Sequence, residues 1–403
     1  MVDGTKRTGS NDDRIAEVDF AKIDTPGTIL VNEENSIDQK NLVFGKNNMP
    51  QMLQHLRHLA LSTKNLVVNS SKMTAVVDED GKIALIFRDE KDEDVVAYAN
   101  GWAHGQIIDR SMGDRNYFTK CIKGEKHDLA EINLNNWLTA PAVNRMIRLT
   151  DYEDHKEIRA FLGSGYMLVD NQHIATEVLR ATASQNAMRS SAGTKPIVFD
   201  RGSFSEGSMY IELLDTENTF DLGKGQTFNG MIVIKNSDVG GAALDFSTGF
   251  YQWTCANLHI KNTIFSKQHR AEKLDEQIFG QEIVQKQAKL LVEAVGVGIG
   301  KVLQNRDLFE KWASELRETT EVVIQDQTKA LAAIKSEYEL TDEEISSLTN
   351  TLTRDTTIAP ELRGTAFGLI SGITNMARDV APDRRHELGE IAGNTARLLK
   401  CVA

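Results

Sequence analysis

The sequence predicts an α+β fold, with a central antiparallel β-meander, helices packed on one face and a helical C-terminal region. Short strand-like runs separated by glycine turns fill residues 209–255, and helical patterns follow them. The chain has 403 residues, of which 40% are hydrophobic, so it can bury a core. We divide it into a flexible tail (1–14), a helix and hairpin region (15–150), a central core (151–303) and a helical region (304–403).

The first predicted elements are a helix and a hairpin. Apolar residues recur at helical spacing from Met49 to Leu61. Two strand-like runs, Lys72–Val77 and Lys82–Arg88, follow, and the Asp80-Gly81 pair between them is a hairpin signal. Residues 95–150 are predicted to be mostly helical, with glycines as breaks.

The predicted meander comes after a strand at Ile158–Leu162 and a helix at about residues 172–187. Its strand-like runs are Met209–Leu214, Thr227–Lys235, Ala242–Phe246 and Phe250–Cys255. Glycines at 223, 225, 240 and 241 lie between these runs, and they permit the backbone angles that tight reversals require.

The last third of the chain is predicted to be helical. Apolar residues from Val284 to Val302 step by three and four, as in a helix-packing seam. Thr341 and Glu344 form a capping-box pattern at the start of another helix. Pro360–Arg378 and Pro382–Leu399 are predicted helices with proline in the first turn.

Cysteine usage and hydropathy predict a cytoplasmic protein. The three cysteines, Cys121, Cys255 and Cys401, are far apart and odd in number, so a disulfide framework is not expected. The polar N-terminus has no secretory h-region. The most apolar stretch, Ala288–Leu303, is too short to span a membrane and contains three charges.

The net charge of −12 excludes a generally basic nucleic-acid coat. Residues 78–94 hold eight acids and three bases, and residues 304–361 hold thirteen acids and six bases. These two segments carry the whole net charge, so a basic groove on the central part remains compatible with the total.

Nucleotide binding and nucleophilic catalysis have no good candidate. The segment from Gly296 to Lys301 lacks the spacer of a phosphate loop, and Val302 replaces the magnesium-binding Ser or Thr. Close helix packing is the preferred interpretation of its glycines. There is no Gly-x-Ser-x-Gly elbow, and we predict no catalytic residue and no cofactor.

A metal site is the alternative interpretation of one short segment. Cys255, His259 and His269 lie within fifteen residues, with Asp245 nearby. Zinc requires three or four such ligands at compatible spacing. These four residues would serve a metal-dependent hydrolase or nuclease.

Aromatic and basic residues gather at the end of the meander, where residues 251–273 hold four bases and one acid. Single strands are bound in this way, with bases stacked on aromatic rings and phosphates held by Lys and Arg. Trp253 is instead interpreted as a core residue of the last strand. The predicted nucleic-acid-binding residues are Arg145, Arg148, Arg159, Lys224, Tyr251, His259, Lys261, Lys267, His269 and Arg270.

Several strings of the sequence suggest a family when they are taken in order. They are Asn135-Asn-Trp-Leu138, Arg145-Met-Ile-Arg148, Ile158-Arg-Ala-Phe-Leu-Gly-Ser-Gly-Tyr-Met-Leu-Val-Asp-Asn171, Ile234-Lys-Asn-Ser-Asp-Val-Gly240, Trp253-Thr-Cys-Ala-Asn257, His269, Thr365–Thr374 and Leu388–Gly393. The order resembles the phage- and plasmid-encoded domain-of-unknown-function family nine-three-two, over most of residues 100–400. Family members more often have Ser-Asp-Arg at Gly163-Ser164-Gly165, so no role is carried over to that turn.

The resemblance implies a mobile-element origin and, for a phage-encoded chain, the host cytoplasm, but no reaction. The element order is also similar to the core of phage single-strand annealing proteins of the Red-beta and RecT class. We therefore predict a homo-oligomer that binds single-stranded DNA and promotes annealing or recombination. A further alternative is a structural or counter-defence protein that binds a phage or host protein through the acidic helices at 304–361.

Overall fold

The computed structural model describes residues 39–45, 49–89, 91–223, 226–251, 260–269, 276–354, 358–377 and 380–402. At residues 39, 260–262, 276–282, 354 and 396–402 the description covers the backbone alone. Within these ranges the chain is α+β, with eleven α-helices and two β-sheets, which confirms the predicted fold class. The tail predicted at 1–14 lies outside the described residues.

The first half of the chain alternates between short helices and strands. In order these are α1 (Met49–Ser62), β1 (Thr63–Asn69), β2 (Thr74–Val77), β3 (Ile83–Arg88), β4 (Asp94–Ala99), α2 (Gly101–Ser111), α3 (Arg115–Lys123), α4 (His127–Thr139), β5 (Asn144–Asp151), β6 (Lys156–Gly163) and α5 (Asn171–Ala192).

The second half contains the meander and then helices alone. In order these are β7 (Ile197–Phe204), β8 (Met209–Asp221), β9 (Thr227–Asn236), β10 (Leu244–Tyr251), β11 (Ile260–Lys267), α6 (Glu276–Gln304), α7 (Arg306–Thr319), α8 (Gln327–Tyr338), α9 (Asp342–Arg354), α10 (Ala366–Met376) and α11 (Pro382–Val402).

Six strands form the N-terminal sheet, in the order β1-β5-β6-β4-β3-β2. The predicted β2–β3 hairpin is confirmed, and Gly81 in its turn has a φ of 78°. The helical prediction for residues 95–150 is wrong at both ends, where β4 and β5 lie. Pairing with β3 and with β6 overrides the local pattern there. Because β5 and β6 form one hairpin, this sheet continues across the domain boundary predicted at residue 151.

Helices α2, α3 and α4 cover the inner face of the N-terminal sheet. Leu85 and Ala97 on the strands are buried together with Ile107, Phe118 and Leu134 on the three helices. Strand residues that alternate with these point to the opposite, outer face. One part of that outer face meets the second sheet.

The second sheet is the predicted antiparallel meander, with strands in the order β11-β10-β9-β8-β7. The two runs predicted at 242–246 and 250–255 contribute to one strand, β10, which pairs with β9 along its whole length. Strands β7 and β11 at the two edges extend the sheet beyond the prediction.

Helices pack against the meander on the face that carries Phe199, Ile211 and Ile232. These side chains belong to one core with residues of α1, α5 and α6, such as Met52 and Val178. On β8 the alternate residues, Tyr210 and Glu212, contact α11 from the other side of the sheet.

The helix predicted at Pro360–Arg378 begins later than expected, because Pro360–Leu362 form a separate 3-10 turn and α10 starts at Ala366. The capping box is confirmed, since Glu344 N donates to Thr341 Oγ1 at 3.2 Å and Thr341 N donates to Glu344 Oε2 at 2.9 Å. Gly296 lies inside α6, where an added Cβ would come 2.1 Å from Glu177 Oε1 of α5. This helix packing excludes a phosphate loop at that position. Across the part of the chain described, no helix combines the length and apolar character needed to span a membrane.

Candidate functional site

Arg148 of β5 lies at the centre of a buried ionic cluster between the two sheets. Its Nη2 donates to Asp170 Oδ1 at 2.7 Å, and its Nη1 lies 3.1 Å from Asp238 Oδ2. Arg148 is 4% exposed. Burial alone would lower the pKa of Arg148, but the negative charges of Asp238 and Asp170 raise it. The side chain is therefore held charged inside the protein.

The other oxygen of Asp238 is held from the β6 side and the α5 side. Arg159 Nη2 lies 3.4 Å from Asp238 Oδ1, and Asn171 Nδ2 donates to the same oxygen at 3.1 Å. Asn236 in turn donates to Asn171 Oδ1 at 2.8 Å. We call these residues the Asp238 junction, which consists of Arg148, Arg159, Asp170, Asn171, Asn236 and Asp238. Its two arginines balance its two aspartates.

The backbone next to Asp238 is bound as tightly as its side chain. Tyr166 OH donates to Ser237 O at 2.9 Å, and Arg148 Nη1 donates to Asp238 O at 2.8 Å. Val239 O accepts from Gln106 Nε2 at 2.7 Å and from Trp102 Nε1 at 3.1 Å. Groups from α2, β5 and the segment after β6 thus bind three successive carbonyls of the β9–β10 connection.

Gly240 follows directly and has a φ of 78°. A Cβ at this position would come 2.7 Å from Leu162 Cδ2. Only glycine satisfies both the left-handed backbone and the close approach of the two sheets here. The Asn236–Gly240 string singled out in the sequence is therefore a connection that joins the two sheets.

Two histidines flank the junction. His269 is buried, its ring stacks on Tyr166 at 5.4 Å, and its Nδ1 lies 3.3 Å from Met167 O. Burial lowers the pKa of His269. His55 of α1 stacks on Phe204 at 4.3 Å. Burial, followed by the positive charge of Arg159, lowers the pKa of His55 to about 4. Both rings are therefore neutral at pH 7.

Four of the predicted DNA-binding residues are corrected by this geometry. Arg148, Arg159 and His269 are buried in or beside the junction, and the two arginines are committed to internal carboxylates. Tyr251 is buried in a small cluster on the meander, where burial and the charge of Asp200 raise its pKa to about 12. These side chains would have to leave the folded core before they could reach a phosphate or a base.

The remaining predicted DNA-binding residues are partly buried, exposed or outside the described residues. Arg145 is partly buried; its Nη2 donates to Arg110 O at 2.9 Å, and its guanidinium lies 5.5 Å from the Phe161 ring centroid. Lys267 on β11 is exposed. Lys261 is paired with Gly249, and its side chain is not described. Outside the described residues lie Lys224, Trp253, Cys255, His259 and Arg270.

The alternative metal site is represented only by Asp245 and His269 within the described residues. No group of three or more possible metal ligands is found in this part of the chain. His269 Nε2 and Asp245 Oδ1 are buried atoms without a hydrogen-bond partner there. The arrangement gives no metal centre that can be argued from the described side chains.

Sequence reasoning missed a second buried polar cluster, between β8 and the first turn of α11. Tyr210 OH donates to Asp383 Oδ1 at 2.7 Å, and the Tyr210 ring stacks on His386 at 3.7 Å. Glu212 Oε1 accepts from Arg385 Nη2 at 2.6 Å and lies 3.2 Å from His386 Nε2. Tyr210 and Asp383 are 173 residues apart in the sequence, so no local spacing predicts this cluster.

Chemically, the Asp238 junction is a charge-balanced network of ion pairs and hydrogen bonds between the two sheets. Both Asp238 oxygens and Asp170 Oδ1 are directed at an arginine or an amide, so the Asp238 carboxylate is fully engaged in internal contacts. No family model, no curated protein and no solved structure matches this chain. The resemblance described above therefore stays a prediction.

Strand β11 is the most exposed part of the meander. Every side chain from Thr263 to Gln268 is exposed, including Ile264, Phe265 and Lys267. Its neighbour β10 is buried from Phe246 to Tyr251. A β-bulge opposite Phe246 and Ser247 interrupts the regular alternation of β11 between Lys261 and Lys267. An exposed aromatic ring and a lysine thus lie two residues apart on an edge strand.

Proposed function

We propose that this chain binds single-stranded DNA as a homo-oligomer and that β11 is its contact strand, with strand annealing or recombination as the activity served. One observation carries the proposal: β11 exposes Phe265 and Lys267 beside a buried strand. Phe265 is 39% exposed, although it sits opposite Phe246, which is buried. More than a third of the Phe265 side chain is therefore accessible to a partner.

The chemistry of β11 fits a single strand better than a duplex. Stacking of a base on an aromatic side chain contributes about 1–3 kcal/mol and does not depend strongly on sequence. Lys267 supplies a positive charge two residues away, within a segment of net positive charge. The acidic helices α7 to α9 follow later in the chain and account for much of its negative charge.

Binding to a fluorescent oligothymidine, measured by anisotropy at 50 and 200 mM salt, tests the proposal. We expect affinity to fall with salt, because lysine–phosphate contacts release counterions. Lys267→Glu and Phe265→Ala should each weaken binding. Lys286→Glu on α6 is the matched control, since it makes the same charge change at another exposed lysine.

The salt series also separates the possible results. Absence of binding at 50 mM salt would end the proposal. Equal loss of affinity in the Lys267 and Lys286 variants would show that only overall charge matters, and β11 would no longer be the contact strand.

A further inference from the structure

The outer face of β2, β3 and β4 presents an apolar surface to solvent. Two cross-strand rows form it, and they consist of Val76, Ala84 and Tyr98 in one row and Thr74, Ile86 and Val96 in the other. We call these six residues the strand patch. Val76, Val96 and Tyr98 are 38%, 47% and 48% exposed, whereas Ile86 is half-buried and Ala84 is buried between them. Leu85 and Ala97 on the inner face are fully buried.

Helix α4 presents a second apolar surface. Ala130, Leu134 and Leu138 are buried against the N-terminal sheet, which fixes the inward side of the helix. The outward side carries Leu129, Ile132, Asn133, Asn136 and Trp137, which we call the helix patch. Ile132 is 57% exposed and Trp137 is 53% exposed. Exposed tryptophan and isoleucine on one helix are typical of interaction sites.

The two patches lie on opposite sides of one two-layer unit. Helix α4 belongs to the layer that covers the inner face of the sheet, so its outward side faces away from the strands. The strand patch faces the other way, because its residues alternate with the buried ones. When two different surfaces of one chain pair with each other, the contact between copies is heterologous, that is, head to tail.

Charges at the rims of the two patches are complementary. The turns at both ends of the strand patch carry a net negative charge, since residues 78–94 hold eight acids and three bases. Lys82 pairs with Asp80 and Arg88 pairs with Asp92, which leaves Asp78, Glu79, Asp89 and Glu93 as the acids without an ion pair to a described residue. Lys120, Lys123 and Lys126 lie at the end of α3 and in the connection to α4. All three lysines are exposed, and none forms an ion pair with a described residue.

We infer that copies of this chain associate head to tail, with the helix patch of one copy packed on the strand patch of the next. The inference rests on the homo-oligomer in the proposed function and names its interface. Within each copy, α2 to α4 already cover the inner face of the sheet, and the neighbour's α4 would cover the outer face in the same helix-on-sheet manner. A second copy thus supplies both the apolar surface and the opposite charge.

Light scattering of the full chain without DNA, over a concentration series, tests the interface. Ile132→Asp disables the helix patch and Val96→Asp disables the strand patch, and each variant should be monomeric. Leu290→Asp is the control, because Leu290 is exposed to at least the same extent but lies on α6. Circular dichroism shows whether each variant is folded. Because each patch has only five or six residues, we expect a small interface that dissociates on dilution.

A one-to-one mixture of the two monomeric variants gives the decisive result. The Val96→Asp chain keeps its helix patch and the Ile132→Asp chain keeps its strand patch, so a single pair can form. Growth stops there, because both outer surfaces of the pair are disabled. A mass of two chains in the mixture supports the head-to-tail interface, and a mixture that stays monomeric overturns it.

Other outcomes are equally clear. A wild-type chain with the mass of one copy, for instance because residues 1–38 or another molecule occupy the strand patch, overturns the interface. An oligomer that survives both substitutions does the same. DNA binding is read separately: monomeric variants that still bind oligothymidine leave the proposed contact strand intact, and Phe265→Ala or Lys267→Glu should leave the mass unchanged.

Discussion

The side-chain amide of Asn135 pairs with both backbone groups of Ala75. Asn135 Oδ1 accepts from Ala75 N at 2.8 Å, and Asn135 Nδ2 donates to Ala75 O at 2.9 Å. Glu131 Oε2, one turn earlier on α4, accepts from Val77 N at 2.9 Å. Ala75 and Val77 lie on β2, the edge strand of the N-terminal sheet. Helix α4 therefore satisfies that edge as a seventh strand would, and it blocks pairing with another chain.

Replacing Asn135 with alanine should destabilise the protein by about 1–3 kcal/mol, because two backbone groups lose their partner. Urea unfolding followed by circular dichroism measures this change. Asn136→Ala is the matched control, since the side chain next to Asn135 is exposed and should change stability by less than about 0.5 kcal/mol. Equal effects of the two substitutions would contradict the edge-capping role.

Removing Arg148 should be among the most damaging single changes in the chain. Arg148→Ala leaves Asp170 and Asp238 without their main counter-charge, and loss of one partner from a buried ion pair typically costs about 3–5 kcal/mol. The double variant Arg148→Met with Asp238→Asn should cost less than the sum of the two single changes, since each single change leaves the other charge buried without its partner. Unfolding free energies of the variants would show this non-additivity, and simple additivity would argue against the junction.

The lowered pKa of His55 predicts that the folded protein loses stability in mild acid. The pKa of His55 is about 4 in the folded chain, because burial and the positive charge of Arg159 disfavour the charged ring. Its ordinary value, which applies in the unfolded chain, is 6.5. The unfolded chain therefore binds more protons between these values, and stability falls as pH drops from about 6.5 to 4. Melting temperatures of wild type and His55→Gln across this range test the prediction. The variant should show the smaller drop.

The raised pKa of Asp200 predicts a pH dependence of stability with the opposite sign. Burial, followed by the negative charge of Glu212, raises the pKa of Asp200 to about 6 from 3.8. The folded chain then holds the proton more tightly, so the contribution of Asp200 to stability is present below pH 4 and is lost as pH rises through 6. Asp200→Asn should raise the melting temperature at pH 7 and have little effect at pH 4. A lower melting temperature at pH 7 would contradict this assignment.

The parts of the fold that the sequence predicts correctly are those with local signals. The β2–β3 hairpin follows from Asp80-Gly81, the meander from its glycine turns, and the long helix α6 from its apolar seam. Strands β4 and β5 lie at the ends of a segment predicted to be mostly helical. Each has one partner far away in the sequence, β6 for β4 and β1 for β5, which no local pattern signals.

The site was harder to predict than the fold. Arginines are expected at the surface, so Arg148 and Arg159 were assigned to DNA, and nothing local indicates that Asp238 lies between them. The strings that carry the family resemblance nevertheless converge: Asp170-Asn171 and Asn236–Gly240 meet at the junction. Sequence identified these residues as special but not the interactions that make them so.

The way the two sheets are joined limits how the β9–β10 connection can vary. Tyr166, Arg148, Gln106 and Trp102 bind the carbonyl oxygens of Ser237, Asp238 and Val239, which any residue possesses. Exchange of a side chain leaves those acceptors in place, whereas gain or loss of one residue would move all three out of register at once. Among natural variants this connection should keep its length, together with Asp238 and Gly240, even where its other residues change.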